Sequence, residues 1–161
     1  MRIGVVSDTH NNLKNVRKIV ELFNEHRVDR VIHTGDISQA KTLDALSALN
    51  APLFGVFGNN DQERTALKEA IDRHGFTFQD PPLALEWAGK KIIVVHDPLE
   101  FSGHLEAQDL ALHGHTHRYR LEVGDDGMTI FNPGECAGMM VGRNSIGLVD
   151  LATLDCQILN F

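Results

Sequence analysis

Asp8 and His10 stand one residue apart, His115 and His117 repeat that spacing, and Asp36, Asn59 and His96 fall between them. All seven are side chains with metal-ligand chemistry. A carboxylate has two oxygens and can join two cations, while neutral imidazoles and an amide oxygen fill the remaining positions. Seven ligands are too many for one tetrahedral ion and suit two divalent cations that share a carboxylate. Two such ions, about 3.5–4 Å apart, can hold a hydroxide between them and clamp a phosphoryl group during in-line displacement. The composition raises the same question, because 9 of the 161 residues are histidine.

These residues have to be brought together by the elements that precede them. Arg2–Ser7, Arg30–His33 and Leu53–Phe57 are short apolar runs rich in β-branched residues and read as buried strands. Between them, Val16, Ile19, Val20 and Phe23 mark one helical face, with Asn11 or Asn12 placed to cap it. Ala40, Leu43, Leu46 and Leu49 mark a second helix capped by Ser38. Ala66, Leu67, Ala70 and Ile71 mark a third, with Asn60 and Asp61 as caps (Asn60 and Glu63 at capping-box spacing) and closure near Gly75. This alternation implies a parallel sheet with right-handed crossovers.

The second half is strand-rich. Leu83–Trp87 and Lys91–Val95 read as a hairpin; Asp109–Leu112, Tyr119–Val123, Met128–Phe131, Ile146–Asp150 and Leu154–Leu159 follow, with a short helix around His104–Gln108. Two sheets packed face to face with helices outside is the predicted outcome. Asp8-Thr9-His10, Gly35-Asp36, Gly58-Asn59-Asn60-Asp61, His96-Asp97 and Gly114-His115-Thr116-His117 each leave the carboxyl end of a predicted strand, which is where ligands bind in open α/β sheets. Gly35, Gly58 and Gly114 precede ligands where the backbone must turn sharply and a phosphate must come close.

Taken in order, Asp8-x-His10, Gly35-Asp36, Gly58-Asn59-x-Asp61, His96 and Gly114-His115-x-His117 resemble the signature of the calcineurin-like metallophosphoesterases. The short chain, the early Asp8 and the segment Asn132-Pro133-Gly134-Glu135 are most similar to the small prokaryotic phosphodiesterase subgroup. The resemblance implies a four-layer α/β/β/α sandwich of two mixed β-sheets flanked by helices, as one domain over residues 1–161. It implies one metal on Asp8, His10, Asp36 and His117 and another on Asp36, Asn59, His96 and His115, with Asp36 as the bridge. The metals implied are two divalent ions, manganese first, with nickel, iron, zinc and magnesium as alternatives. The activity implied is hydrolysis of a small phosphoester, a diester foremost, through attack by a hydroxide held between the metals. Asp36, Asn59 and Asn60 then lie closest to the reaction.

Two positions depart from the family pattern. Asn60 stands where many members carry a histidine that binds phosphate or protonates the leaving group, and an amide is no acid near neutral pH. Asp97 stands where glycine often follows the histidine ligand, and its carboxylate either supports a ligand histidine or repels an anionic substrate. Ordinary roles suit other residues. His26, His74 and His104 read as surface positions, and His33 and His113 as structural. Cys136 reads as a buried thiol, and Arg118 and Arg120, which flank the site, as exposed strand arginines, with contact to a phosphate as the alternative.

The charge balance, 15 Lys+Arg against 22 Asp+Glu for a net −7, disfavours non-specific nucleic-acid binding. Ile92-Ile93-Val94-Val95 is far too short an apolar run to span a membrane. Nothing near Met1 reads as a signal peptide, and two cysteines without zinc spacing fit a reducing cytoplasm. Met139-Met140-Val141 reads either as an exposed apolar patch for a homo-oligomer or as a buried strand-side position. The competing reading of the whole chain is a non-catalytic protein-interaction scaffold on the same fold, as in the retromer subunit that resembles this family; such a scaffold would need no metal. A nucleotide switch is disfavoured because neither GxGxxG nor GxxxxGK[ST] follows the first strand.

Overall fold

The computed structural model describes residues 1–161. Its first sheet is built on four parallel strands, β1 (Arg2–Val6), β2 (Arg30–His33), β3 (Leu53–Val56) and β4 (Thr77–Gln79). Helices α1 (Leu13–Glu25), α2 (Ala40–Leu46) and α3 (Arg64–His74) make the crossovers. The second sheet contains β5 (Leu83–Trp87), β6 (Lys90–Val94), β7 (Leu110–Leu112), β8 (Arg120–Val123) and β9 (Thr129–Asn132), in the order β5-β6-β7-β9-β8. The chain then returns to the first sheet, where β10 (Ser145–Asp150) and β11 (Asp155–Asn160) add antiparallel beside β1. Both sheets are therefore mixed, as expected.

The strands β1, β2 and β3 read as continuous apolar runs because both of their faces are covered. One face carries Ile3, Val5, Ile32 and Val56 against Val94, Leu110, Leu112 and Phe131 of the facing sheet. The other carries Val6, Val31 and Leu53 against Val16, Ile19, Phe23, Leu43 and Leu67 of the helices. On the outer face of the second sheet, Phe101 from a single 3₁₀ turn (Pro98–Phe101) packs on Ile93, Val95 and Ala111. No helix is long and apolar enough to cross a membrane.

Asn12 caps α1 by accepting the Asn15 N–H at 3.2 Å, and Gly75 closes α3 at φ +68°. Several local expectations fail for physical reasons. Ser38 does not cap α2: Gln39 holds that position without a side-chain bond, and Ser38 lies at φ +71°. Asn60 and Asp61 do not cap α3, which starts after Glu63, because both side chains turn back toward the loop after β2. No helix forms around His104–Gln108. The turn lies earlier, where Pro98 fixes its first residue and Asp97 and Glu100 form a capping box. Strand β4 went unrecognised, since three residues at a sheet edge are too few to display a period.

Candidate metal centre

The carboxyl ends of β1, β2, β3, β6 and β7 open at one rim, and the seven residues singled out above converge there. Asp8, Asp36 and His96 form the buried floor, His10 and His117 are half-buried, and Asn59 and His115 face solvent. Asp36 spans the cluster: its Oδ2 lies 3.7 Å from His10 Nε2 and its Oδ1 lies 3.4 Å from His96 Nε2. Asp8 Oδ1 lies 3.3 Å from His117 Nε2. Ligand atoms of Asp8, His10 and His117 gather within 4.8 Å of one another, as do those of Asp8, Asp36 and His96.

The donor set fits cations. His96 turns Nδ1 toward the Thr34 carbonyl at 2.9 Å, so in the neutral ring that nitrogen carries the proton and Nε2 is a lone pair. His115 turns Nε2 toward the Asp97 carboxylate at 3.7 Å. His96 Nε2 and His115 Nδ1 lie 3.2 Å apart, each about 3 Å from the Asn59 amide oxygen, at 2.9 and 3.1 Å. Two imidazole nitrogens and an amide oxygen thus converge on one point, a donor set suited to a divalent cation. On the other side, Asp8 Oδ1 and His10 Nε2 are buried with no hydrogen-bond partner.

Each of the four candidate ligand histidines has a different group behind it. His10 Nδ1 meets Ser38 Oγ at 3.1 Å, His96 the Thr34 carbonyl, His115 the Asp97 carboxylate, and His117 Nδ1 the buried Glu135 carboxylate at 3.6 Å. Groups in these positions orient the rings. Asp97 thus stands behind His115, as its first expected alternative has it, and also lines the cavity on that side, which leaves room for the second. Asn60 is anchored on Asp36, donating its backbone N–H to Oδ1 (2.9 Å) and its side-chain amide to Oδ2 (2.7 Å). The buried Asp61 carboxylate accepts three backbone N–H groups, from Gly58 (2.7 Å), Asp36 (3.0 Å) and Ser38 (2.6 Å), and so ties the loops after β2 and β3 together.

The backbone is strained at this rim. Asp8, His10, Asp36, Ser38, His115 and His117 all have φ between +44° and +71°, a region costly for residues with a Cβ. The expected glycine roles divide. Gly35 turns sharply, at φ +106°, whereas Gly58 and Gly114 are needed for packing. A Cβ on Gly58 would collide with Asp36 Oδ1, and one on Gly114 with Ser7 Oγ.

Electrostatics follow the same pairs. Burial would raise the Asp8 carboxyl, but the adjacent His117 imidazole and the Ser7 hydroxyl outweigh it and hold its pKa below the usual value. The Asp8 partnership in turn raises His117 against its partial burial. Burial raises Asp61, with the Asp36 charge adding to it against the three N–H bonds. Burial lowers His33 to about 4; its Nδ1 accepts the Gly35 N–H at 3.1 Å and its Nε2 lies 2.9 Å from Thr9 Oγ1, the structural role expected of it. Cys136 is buried and donates to the Ser145 carbonyl at 3.0 Å.

Sequence reasoning missed the supports: Ser38, Asp61 and Glu135. The Asn-Pro-Gly-Glu segment stood out, yet no spacing connects Glu135 to His117.

Comparison with known proteins agrees with this geometry. The family model described as the calcineurin-like phosphoesterase superfamily domain matches residues 1–154. The chain is 37% identical over 155 residues to the phosphodiesterase MJ0936 of Methanocaldococcus jannaschii, covering 93% of each. A solved archaeal phosphodiesterase superposes with a TM-score of 0.88 at 35% identity, covering 100% of both chains. The phosphoesterase YfcE of E. coli shares the fold, with a TM-score of 0.75 at 22% identity over 94% of this chain and 89% of that one. A family match over nearly the whole chain, whose strand ends gather these Asp and His side chains, places this protein in the calcineurin-like phosphoesterase superfamily.

Proposed function

We propose that this protein is a metal-dependent phosphodiesterase that hydrolyses a small phosphodiester at the rim where β1, β2, β3, β6 and β7 end. The observation that carries the reading is Asp36, whose two oxygens face His10 on one side and His96 on the other. One divalent cation is assigned to Asp8, His10, Asp36 and His117, and the second to Asp36, Asn59, His96 and His115. Manganese is the first assignment, and nickel, iron, zinc and magnesium suit the same mixture of nitrogen and oxygen donors. Two cations held by these residues would supply Lewis-acid chemistry, lowering the pKa of a water for in-line attack on phosphorus and offsetting phosphoryl charge.

The protein's own residues supply position. Asn59 and His115 stand at the solvent-facing edge, where the ester arrives, while buried Asp8 and Asp36 supply negative charge from below. Asn60 keeps both Asp36 oxygens oriented. It brings no proton to the leaving group, which favours diesters whose leaving alcohol is acidic.

The test is hydrolysis of bis-p-nitrophenyl phosphate beside p-nitrophenyl phosphate, using chelator-stripped protein reloaded with manganese. Metal-dependent turnover with the diester preferred is the expected result. Folded protein that turns over neither ester with any divalent metal would overturn the reading in favour of the scaffold.

A further inference from the structure

Two cavities flank the candidate centre, and their charges differ. The one beyond Asn59, His96 and His115 is walled by Asp80, Asp97 and Glu100; its single arginine, Arg64, is paired with Asp80 at 2.7 Å. The other begins at His117, has a volume of about 820 Å³, and has no carboxylate in its wall. That size is ample for a nucleotide-sized group. Arg118 and Arg143 line it, and neither has an ion-pair partner, although the protein carries a net charge of −7. The arginines that do pair with carboxylates are Arg64, Arg73 and Arg120. The half-exposed ring of Tyr119 and the thioether of Met140 complete an apolar, polarisable surface beside the two guanidinium groups.

From this asymmetry we infer that the cavity leading from His117 is the subsite for the retained half of the diester, and that it selects a nucleoside bearing a second phosphate. The inference rests on the phosphodiesterase reading. Arg118 and Arg143 take the second phosphate, since guanidinium groups match phosphate oxygens in geometry as well as charge. Tyr119 and Met140 offer a face for the base. The acidic cavity on the opposite side repels that phosphate, so the leaving alcohol points there. In the step itself, a hydroxide oxygen bonds to phosphorus while the bond from phosphorus to the leaving oxygen breaks. The bonding pair departs with the alkoxide, and the nucleotide stays in the His117 cavity as a monoester.

Three esters with the same leaving group test this: p-nitrophenyl methyl phosphate, the p-nitrophenyl ester of thymidine 5′-phosphate, and that same ester carrying a 3′-phosphate. With manganese-loaded protein, kcat/KM is expected to rise along the series, by about tenfold for the added 3′-phosphate. In the Arg118→Gln/Arg143→Gln double variant, the ratio between the second and third esters falls back to near one. Equal kcat/KM for all three esters, or a ratio untouched by the double variant, would overturn the subsite. No release of p-nitrophenolate from any ester would instead overturn the phosphodiesterase reading. Equilibrium binding of thymidine 3′,5′-bisphosphate against thymidine 5′-phosphate then decides the subsite separately, the same preference and its loss in the double variant being the supporting result.

Discussion

The Nδ1 of His117 lies 3.6 Å from the buried carboxylate of Glu135, while the Nε2 of the same ring lies 3.3 Å from Asp8. One imidazole is thus gripped between two carboxylates from opposite ends of the chain, one facing the candidate centre and one behind it. Glu135 also accepts the N–H groups of Ala137 (3.0 Å) and Met140 (3.0 Å), so the loop that walls the large cavity depends on the same group.

Glu135→Gln should weaken metal binding at the His117 side by about 10- to 100-fold, the usual loss when the partner behind a ligand histidine is altered. Competition against a chromophoric chelator measures it. Wild-type affinity in the folded variant would remove Glu135 from the account.

Gly58→Ala and Gly75→Ala separate packing from backbone freedom. An added methyl at Gly58 meets Asp36, whereas at Gly75 it meets nothing within 4 Å. Gly75→Ala should cost about 1 kcal/mol, from its left-handed φ, and leave turnover intact. Gly58→Ala should displace Asp36, cutting diester turnover by about tenfold or more as well as lowering stability. Equal effects of the two substitutions on activity would contradict the close approach.

Asp61→Ala leaves the buried N–H groups of Gly58, Asp36 and Ser38 without their acceptor. At about 1–3 kcal/mol for each unsatisfied group, a loss of about 3 kcal/mol or more is expected in urea unfolding. A helix cap alone would cost about 1 kcal/mol, and a loss that small would restore the capping role.

His33 makes stability depend on pH in a defined direction. Its folded pKa, about 4, lies below the ordinary histidine value of 6.5, so the unfolded chain binds the extra proton first. Its contribution is fully present above pH 6.5 and is lost as pH falls through 4, amounting to about 3 kcal/mol there. Unfolding of chelator-treated protein between pH 7 and 4 should show that decline, and His33→Asn should flatten it. An identical slope in the variant would assign the acid sensitivity to other groups.

Much of this was legible because it repeats along the chain. Both-face burial of β1, β2 and β3 gives apolar runs, and α1 announces itself through Val16, Ile19, Val20 and Phe23. The candidate ligands are legible because each follows a strand end, and topology alone gathers strand ends. What sequence did not reveal depends on three-dimensional return. Ser38, Asn60 and Asp61 have the residue types and positions of helix caps, yet their side chains serve the neighbouring loop. Glu135 reaches His117 only because the chain re-enters the first sheet through β10. The turn lies at Pro98–Phe101 and not around His104–Gln108, and its signal is masked because the capping box of Asp97 and Glu100 overlaps the polar cluster around His96.

Whether Asp36 joins two cations is read out by a metal titration of chelator-stripped protein. Diester turnover measured against added manganese should saturate at two equivalents per chain, and Asp36→Asn should lose both tight binding events together with turnover. Saturation at one equivalent, or an Asp36→Asn protein that binds and turns over as the wild type does, would contradict that bridge.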